Sequence, residues 1–498
     1  MANQIIFNRG QGGLGRPLSG EDYISSLLFF SSTLPSGFGT SDRIKEVFSL
    51  QEAENLGITN AHIGETRATG TITVTGAGVV GDTIDTKVND GLTTMSIGVA
   101  TVPATPTTTT VAAAIVSAIN AGTLTHGYSA QNTGAIVTLT APAGSGVGAN
   151  AYVISNVIVG TATTTLVQFS GGVASIIDVL YYHVQEFFRV QPKGDLYIGI
   201  YAPAVTFEEV ITIQNFAAGK VRQMGVYVSA VAFATAHLTT LQSKATQLES
   251  ESKPLSIIYQ GDFSAVTDLS LLSDLRLLSN KNVSATIGQD LSNNGGSLYR
   301  AFGKSIGCLG TALGAVSLSS VQESIAWVGK FNVANVEFDS LAIANGAIYR
   351  TLSNGTINSI DLKGYVFLRK HLGVDGSYFN DSPTAIAVSN DFAYIENNRT
   401  IDKAIRNMRA FLLPTLSSPI KVTAAGTLNE DTIGYFETTA KRALEQMERD
   451  GELSAFGVTI NPAQNVLATS KIIIAVSLVP VGVARTIEVN VSFTTQIA

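Results

Sequence analysis

The chain has 498 residues, a length that suggests about three domains. Charged residues make up only 14%, against roughly 25% in an average soluble protein, and the mean hydropathy is +0.26. The net charge of −7 disfavours a nucleic-acid-binding function, because nucleic-acid-binding proteins usually carry a basic surplus. So low a charge density indicates that partners, rather than water, cover much of the surface.

The sequence shows no pattern of membrane insertion, secretion or disulfide bonding. Its most apolar stretch, Ile472–Ala484, is too short to cross ~30 Å of hydrocarbon as a helix. Residues Met1–Gly15 lack a basic segment followed by an apolar one, so we expect no signal peptide. The single cysteine, Cys308, rules out an internal disulfide and fits folding in a reducing cytoplasm, where we expect it to be a buried small hydrophobe.

Residues 1–18 form a predicted N-terminal arm. The apolar run Gln4–Phe7 precedes a Gly-rich hinge, Gly10–Gly15. Ile5 and Phe7 lie in this apolar run.

Residues 19–65 are predicted to be the first part of a core domain. We expect one helix over Tyr23–Phe30, capped by Ser19, and a second over Ile44–Asn55. Gly57 supplies the stop signal of the second helix.

Residues 66–173 are predicted to be a strand-rich domain inserted into the core. No Asp, Glu, Lys or Arg occurs between Gly91 and Ile177, whereas charge-bearing, helical sequence lies on both sides. Close, exposed loop ends tolerate such insertions. The predicted elements are strands Thr71–Thr75, Thr93–Val99 and Ala135–Thr140, and a helix over Val111–Ala121.

Residues 174–484 are predicted to be the second part of the core. Helices and short apolar strands alternate at first, which is typical of a parallel sheet covered by helices on both faces. The predicted pairs of helix and strand are Ile177–Val190 with Leu196–Tyr201, Phe207–Ala218 with Gly225–Ser229, Ala236–Glu249 with Leu255–Tyr259, and Leu269–Leu278 with Val283–Ile287. A Gly/Ala-rich helix is expected over Tyr299–Val316.

The last hundred residues predict an α+β unit. One helix presents Ile401, Ile405, Met408 and Leu412 on one face and stops at Pro414. A capping box, Thr427-x-x-Glu430, begins a second helix that is closed by Gly451. The second helix presents Ile433, Phe436, Ala440, Leu444 and Met447, and strands near Ala455–Ile460, Ile472–Val479 and Thr486–Thr494 follow it.

The predicted C-terminal arm, 485–498, carries the most informative pattern. Ile487, Val489, Val491 and Phe493 alternate with polar residues, as on one face of a strand. Because this strand ends almost at the last residue, it needs a sheet edge either in its own domain or in a neighbouring subunit. The predicted fold class is thus α/β and α+β: a split core with a helix-covered mixed sheet, an inserted strand-rich domain, and extended N- and C-terminal arms.

Motifs that resemble catalytic sites fail on their context. The GxGxxG run at Gly10–Gly15 is followed by Arg16-Pro17 rather than by the helix that would hold a pyrophosphate. The GxSxG run at Gly303–Gly307 sits in predicted helix, whereas a nucleophile elbow needs a strand before Ser305. The five histidines show no metal-ligand spacing. We therefore predict no enzyme activity, no cofactor and no metal site.

The C-terminal sequence resembles the sheath proteins of contractile phage tails and related contractile injection systems. The resemblance is strongest from Asp391 onward and weaker over Leu18–Leu56, which follows Arg16-Pro17. The order of elements carries it: Asn397–Arg406 at a helix start, Met447–Gly451 at a helix end, then Val458–Pro462, Val479–Gly482 and Arg485–Val489.

This resemblance implies a structural subunit that polymerises helically around a tail tube and contracts to drive the tube through the host envelope. Thin terminal arms of such subunits add strands to sheets of neighbouring copies, which makes Ile5 and Phe7 candidates for strand pairing with another subunit. The implied partners are copies of the same chain, a tail tube protein, and baseplate and tail terminator proteins, with no nucleic acid and no stable membrane insertion. The implied location is the virion tail, after synthesis and assembly in the host bacterial cytoplasm.

Three alternatives stay open at this point. One is a non-contracting tail or baseplate structural protein, and another is a receptor-binding protein acting through residues 66–173. The third is an enzyme using Ser305 as nucleophile.

Overall fold

The computed structural model describes residues 21–493. The arm candidates Ile5 and Phe7, and the glycine run Gly10–Gly15, lie outside the described residues. Within them, no helix is both long enough and apolar enough to cross a membrane.

Strands and helices alternate through most of the chain. The strands are β1 Ser25–Phe30, β2 Ile44–Val47, β3 Thr69–Gly76, β4 Thr83–Asn89, β5 Thr94–Thr101, β6 Ser129–Thr133, β7 Ile136–Thr140, β8 Val153–Val159, β9 Thr163–Ser170, β10 Leu196–Tyr201, β11 Gln223–Ala232, β12 Ser256–Asp262, β13 Ser279–Asn280, β14 Val283–Thr286, β15 Gly288–Asp290, β16 Leu341–Ile343, β17 Tyr365–Val366, β18 Leu368–His371, β19 Val374–Phe379, β20 Ala385–Ile386, β21 Leu453–Ile460 and β22 Ile474–Pro480. The α-helices are α1 Leu50–Asn55, α2 Thr108–Ala121, α3 Thr123–His126, α4 Ile176–Val190, α5 Glu208–Phe216, α6 Thr235–Ser250, α7 Asn293–Phe302, α8 Leu309–Leu318, α9 Asn354–Leu362, α10 Ile395–Leu412, α11 Glu430–Arg449 and α12 Val466–Thr469.

The core is a seven-stranded sheet in the order β17-β14-β12-β11-β1-β10-β2. Every neighbouring pair is parallel except β10 and β2, which are antiparallel, so the sheet is mixed. Residues of α5, α6 and α9 pack on one face, and residues of α1, α4 and α8 pack on the other. The predicted α/β core with a helix-covered mixed sheet is confirmed.

The predicted helix Tyr23–Phe30 is wrong, because Ser25–Phe30 is the central strand β1. All six of its residues are buried, with Leu28 and Phe30 in the core of one sheet face and Leu27 and Phe29 in that of the other. A strand buried on both faces has no polar side, so its sequence lacks the alternation that identifies most strands.

The predicted helix Ile44–Asn55 is also wrong in its first half. Ile44–Val47 is the antiparallel edge strand β2, and the helix begins only after Ser49, whose side chain accepts the Glu52 N–H. Gly57 does follow the helix, with φ of 80°.

Two further predicted helices differ from the structure. In place of Leu269–Leu278 there are two single 3₁₀ turns. The side chains of Asp268 and Asp274 accept nearby backbone N–H groups, so each aspartate caps a short turn of its own. In place of Tyr299–Val316 there are two helices, α7 and α8. Gly307 between them has φ of 81° and lies so close to Gln260 that a Cβ there would sit 2.0 Å from Oε1.

Residues between Thr66 and Val173 pack around a hydrophobic cluster of their own. This cluster runs from Ala68 to Phe169 and lies among two small sheets, β6-β7-β3-β9 and β5-β4-β8, and helix α2. Thr66 and Val173 form an antiparallel bridge, so the two ends of the segment are adjacent.

After β20 the chain forms helices α10 and α11 and the hairpin β21–β22. The predicted capping box is wrong, since Asn429 rather than Thr427 caps α11 by accepting the Asp431 N–H. Beyond Pro480, residues 481–493 pair with no described strand, so the predicted terminal strand has no partner within the described chain.

Candidate assembly interface

Helix α10 is fixed to the core by ion pairs in its middle turns. Asp22, just before β1, contacts Lys403 Nζ at 2.8 Å and Arg406 Nη2 at 2.7 Å. Arg399 is buried and donates to Ser319 Oγ at 2.7 Å. The C-terminal unit is therefore attached to the core sheet through side chains on one helix.

This joint contains groups with perturbed pKa values. Burial alone would raise the pKa of Asp22, but Lys403 and Arg406 outweigh it, so the pKa of Asp22 is lowered. Burial raises the pKa of Asp402 to about 7, an effect that the positive charge of Arg406 only partly offsets. Burial lowers the pKa of Arg399 to about 10. Thus Asp402 is the group of this joint that changes charge near neutral pH.

The hairpin packs on α10 and α11 through a small hydrophobic cluster. Its fully buried members are Ala404, Ala440, Leu444, Met447, Leu453 and Val458. The apolar face predicted for α10 is only partly covered, because Ile405 is exposed and Met408 is only half-buried. Phe411, three positions after Met408, is also exposed. An apolar ledge, defined here as Ile405, Met408 and Phe411, is thus left beside the hairpin.

The outer edge of β22 presents unpaired backbone groups. Ile460 of β21 lies opposite Ile474 of β22, yet the Ile460 N–H donates to Glu437 Oε1 at 3.1 Å instead of to its partner strand. This pair is therefore one of the non-hydrogen-bonded pairs of an antiparallel ladder, whose N–H and C=O groups point outward. Since such pairs alternate, Val476 and Leu478 also point their N–H groups outward.

The two edges of the hairpin differ in cover. On the β21 side, the carboxylate of Glu437 on α11 accepts a hydrogen bond from the Ile460 N–H. On the β22 side, the described part of the chain supplies no hydrogen-bond acceptor for the N–H groups of Ile474, Val476 or Leu478. One outward N–H of β21 is thus paired with a helix side chain, whereas none of these three N–H groups of β22 is.

The tail beyond β22 exposes the apolar residues that the sequence singled out. Ile487 is 80% exposed, Val489 73%, Val491 89% and Phe493 fully exposed. The structure brings none of the four to a sheet edge within the described chain. A segment with alternating apolar residues and an unpaired strand edge therefore occur in one chain without meeting.

Arg485 ties the start of this tail to the core. Its Nε donates to Asp381 Oδ2 at 2.9 Å, and its Nη2 pairs with Glu396 at the first turn of α10. Its guanidinium lies over the Tyr394 ring, 3.4 Å from the ring centroid. Sequence reasoning missed this cluster; the one available signal was a lone cation between two apolar strand patterns.

Ser305, the residue considered as a catalytic nucleophile, makes structural hydrogen bonds. Ser305 is buried, donates to the Ala344 carbonyl at 2.6 Å and accepts the Phe263 N–H at 2.8 Å. It lies between α7 and α8, not after a strand. Among residues 21–493, no cluster of His, Cys, Asp or Glu could hold a metal ion.

Comparison with solved structures finds contractile sheath proteins. The chain is similar to the helical sheath of the anti-feeding prophage in its contracted state, with 15% identity and a TM-score of 0.45 over 63% of this chain and 81% of that one. It is similar to the contracted sheath complex of the extracellular contractile injection system PVC, with 16% identity and a TM-score of 0.43 over 64% and 80%. It is also similar to the sheath tail protein of Desulfitobacterium hafniense, with 12% identity and a TM-score of 0.39 over 96% and 100%.

Likenesses at these scores do not define a function, which has to come from this chain's own residues. No curated protein matches the sequence. Two family descriptions do match: DUF2586, N-terminal domain, over residues 3–383, and DUF2586, C-terminal domain, over residues 391–498. The chain belongs to the DUF2586 family.

Proposed function

We propose that the chain is the structural subunit of a contractile tail sheath. In this proposal each subunit donates its C-terminal tail, 486–498, to the β22 edge of a second copy. The observation that carries it is the coexistence of an exposed alternating strand and an open strand edge in one chain.

The chemistry of the two partners is complementary. A donated strand supplies main-chain hydrogen bonds to an exposed sheet edge, and its alternate side chains give specificity. Beside β22, one face of the tail would lie next to the half-buried side chains of Ile474, Val476 and Leu478 and the apolar ledge of α10. Ile487, Val489, Val491 and Phe493 would then leave water together, each contributing about 1.5–3 kcal/mol of burial free energy.

Such donation leads to an open assembly. The donor surface and the acceptor surface differ, so the contact is heterologous, and a rotation that does not close produces a helix. The tail tube, baseplate and tail terminator would be the further partners, in the virion tail. Contraction would be a rigid-body rearrangement of cores, with the tails as tethers between them.

We also propose that residues 66–173 form a peripheral inserted domain. Their separate hydrophobic cluster and the bridge between Thr66 and Val173 support this division. The rest of the chain, 19–65 and 174–484, would form the core, with 1–18 and 485–498 as arms.

Deleting residues 486–498 tests the function. We expect the purified variant to keep its helical circular dichroism but to lose the tubes that negative-stain microscopy should show for the full chain. The matched controls are two double variants: Val489→Asp with Val491→Asp on the apolar face, which should also abolish tubes, and Asn490→Asp with Ser492→Asp on the polar face, which should retain them. Tubes formed by the deletion variant would overturn the proposal.

A further inference from the structure

We propose that Arg485 is a latch that holds the tail away from its own hairpin, so that the tail is free for a second copy. This inference rests on the proposed tail donation and names a positioning residue for it. The latch consists of Arg485, Asp381, Glu396 and Tyr394.

The groups around Arg485 form a partly buried pocket, not a single ion pair on the surface. Glu396 is only 2% exposed, and Ser382 Oγ donates to its second oxygen at 2.5 Å. Asp381 accepts the Arg485 Nε–H at 2.9 Å, and the Tyr394 ring covers the guanidinium plane. Two carboxylates, one of them buried, and an aromatic face match the planar fork of arginine, whereas lysine would offer a point charge without the stacking.

The alternative to donation is that the tail pairs with the hairpin of its own chain. Only Val481–Ala484 separates the end of β22 from Arg485, and loops of about 3–5 residues commonly close β-hairpins. Residues 486–493 could therefore fold back beside β22 of their own chain. Intramolecular pairing is favoured by an effective concentration of about 1 mM or more across so short a connection. Without a device against it, each subunit would fill its own acceptor edge and stop assembly.

The position of the latch opposes this closure. Glu396 lies at the first turn of α10, whereas the hairpin packs on α10 from Ala404 onward, eight residues later. At 1.5 Å per residue this is about 12 Å along the helix. Arg485 is therefore held away from the hairpin. The residues after it, up to Phe493, are exposed to solvent and pair with no strand of the described chain.

The test compares Arg485→Gln in the full chain with the wild type as dilute monomers. Hydrogen exchange should find the amides of 487–493 unprotected in the wild type and at least tenfold protected in Arg485→Gln, independently of protein concentration. Tube assembly of Arg485→Gln at higher concentration should be at least tenfold slower. Arg485→Lys should fall between the two, since it keeps the charge and loses the stacked fork.

The matched control is Arg449→Gln, which removes an exposed arginine whose one partner among residues 21–493 is Glu445 on the same helix. It should leave both readouts unchanged. If Arg485→Gln loses the circular dichroism of the wild type, Asp381→Asn opens the same latch from its half-buried side and decides the question.

The latch and the donation fail in different ways. If tail amides stay unprotected and assembly stays at the wild-type rate in Arg485→Gln, while deletion of 486–498 abolishes tubes, the latch is wrong and donation stands. If the deletion variant forms tubes, donation is wrong and the latch has no assembly role.

Discussion

The central sheet and the C-terminal hairpin treat their edges in opposite ways. Five of the seven strands of the sheet are flanked on both sides, and the two edge strands are short: β2 has four residues and β17 has two. The hairpin β21–β22 has strands of eight and seven residues, and these two strands form a sheet of their own with two long edges. Long exposed edges invite pairing with other chains, and short ones limit it.

In the proposed function, this difference separates folding from assembly within one chain. The strands of the core sheet pair with one another, and its two edges offer only short strands. The hairpin is supported by α10 and α11 but remains a sheet to which a strand can be added. Mutations should therefore fall into two groups, those that unfold the subunit and those that change only its association.

The largest effect is expected for truncating a side chain at the centre of the core sheet. Phe29 is fully buried and stacks on Tyr227 with ring centroids 4.9 Å apart. Phe29→Ala should lower the free energy of unfolding by about 3–5 kcal/mol, because it leaves a cavity in a closed core. Urea denaturation of the monomer measures this value.

The matched control for Phe29→Ala is Phe493→Ala, the same change in the exposed tail. It should leave the urea midpoint of the monomer unaltered and weaken tube formation. Equal losses of monomer stability in the two variants would erase the distinction between folding and assembly residues.

A smaller effect is expected at the joint between the two regions. The pKa of Asp402 is raised from 3.8 to about 7, so this group stabilises the fold at low pH and that contribution is lost as pH rises through 7. Asp402→Asn should therefore be more stable than the wild type at pH 8, by on the order of 2–4 kcal/mol, and nearly equal to it at pH 4. Urea denaturation at both pH values measures the difference, and a variant that is less stable at pH 8 would contradict it.

The smallest effect is expected from removing the proposed inserted domain. Replacing residues 67–172 by a short Gly/Ser linker joins two ends that are already bridged, Thr66 and Val173. Core circular dichroism and tube formation should both persist. Loss of tubes with an intact core would place this segment in the lattice.

The sequence predicted the periodic helices well. Helices α4 and α6 were predicted within one residue at each end, because their apolar residues recur at the helical period. Strand β10, although buried on both faces, was predicted with its observed bounds because it is a short apolar run between two predicted helices. The central strand β1 was mistaken for a helix, since a run buried on both faces has no such period. The break between α7 and α8 begins at Gly303, which ends α7 in the left-handed region with φ of 65°, a local glycine signal that the predicted single helix passed over.

The candidate interface divides in the same way. The apolar alternation of Ile487 to Phe493 is local, so the sequence alone identified it. The latch joins Arg485 to Asp381 and Glu396, 104 and 89 residues away in the chain, and the open side of β22 depends on which edge α11 covers. Such features follow from tertiary packing and have no local signature.

The central claim, that the tail of one copy pairs with β22 of another, is tested most directly by mixing two defective chains. An acceptor chain lacks 486–498, and a donor chain carries Val476→Pro, which removes an outward N–H from the β22 edge while sparing the hairpin ladder. Each chain alone should be monomeric by native mass spectrometry, and an equimolar mixture should give a one-to-one heterodimer that does not grow. Polymerisation of the donor chain alone, or a mixture that stays monomeric, would contradict the account.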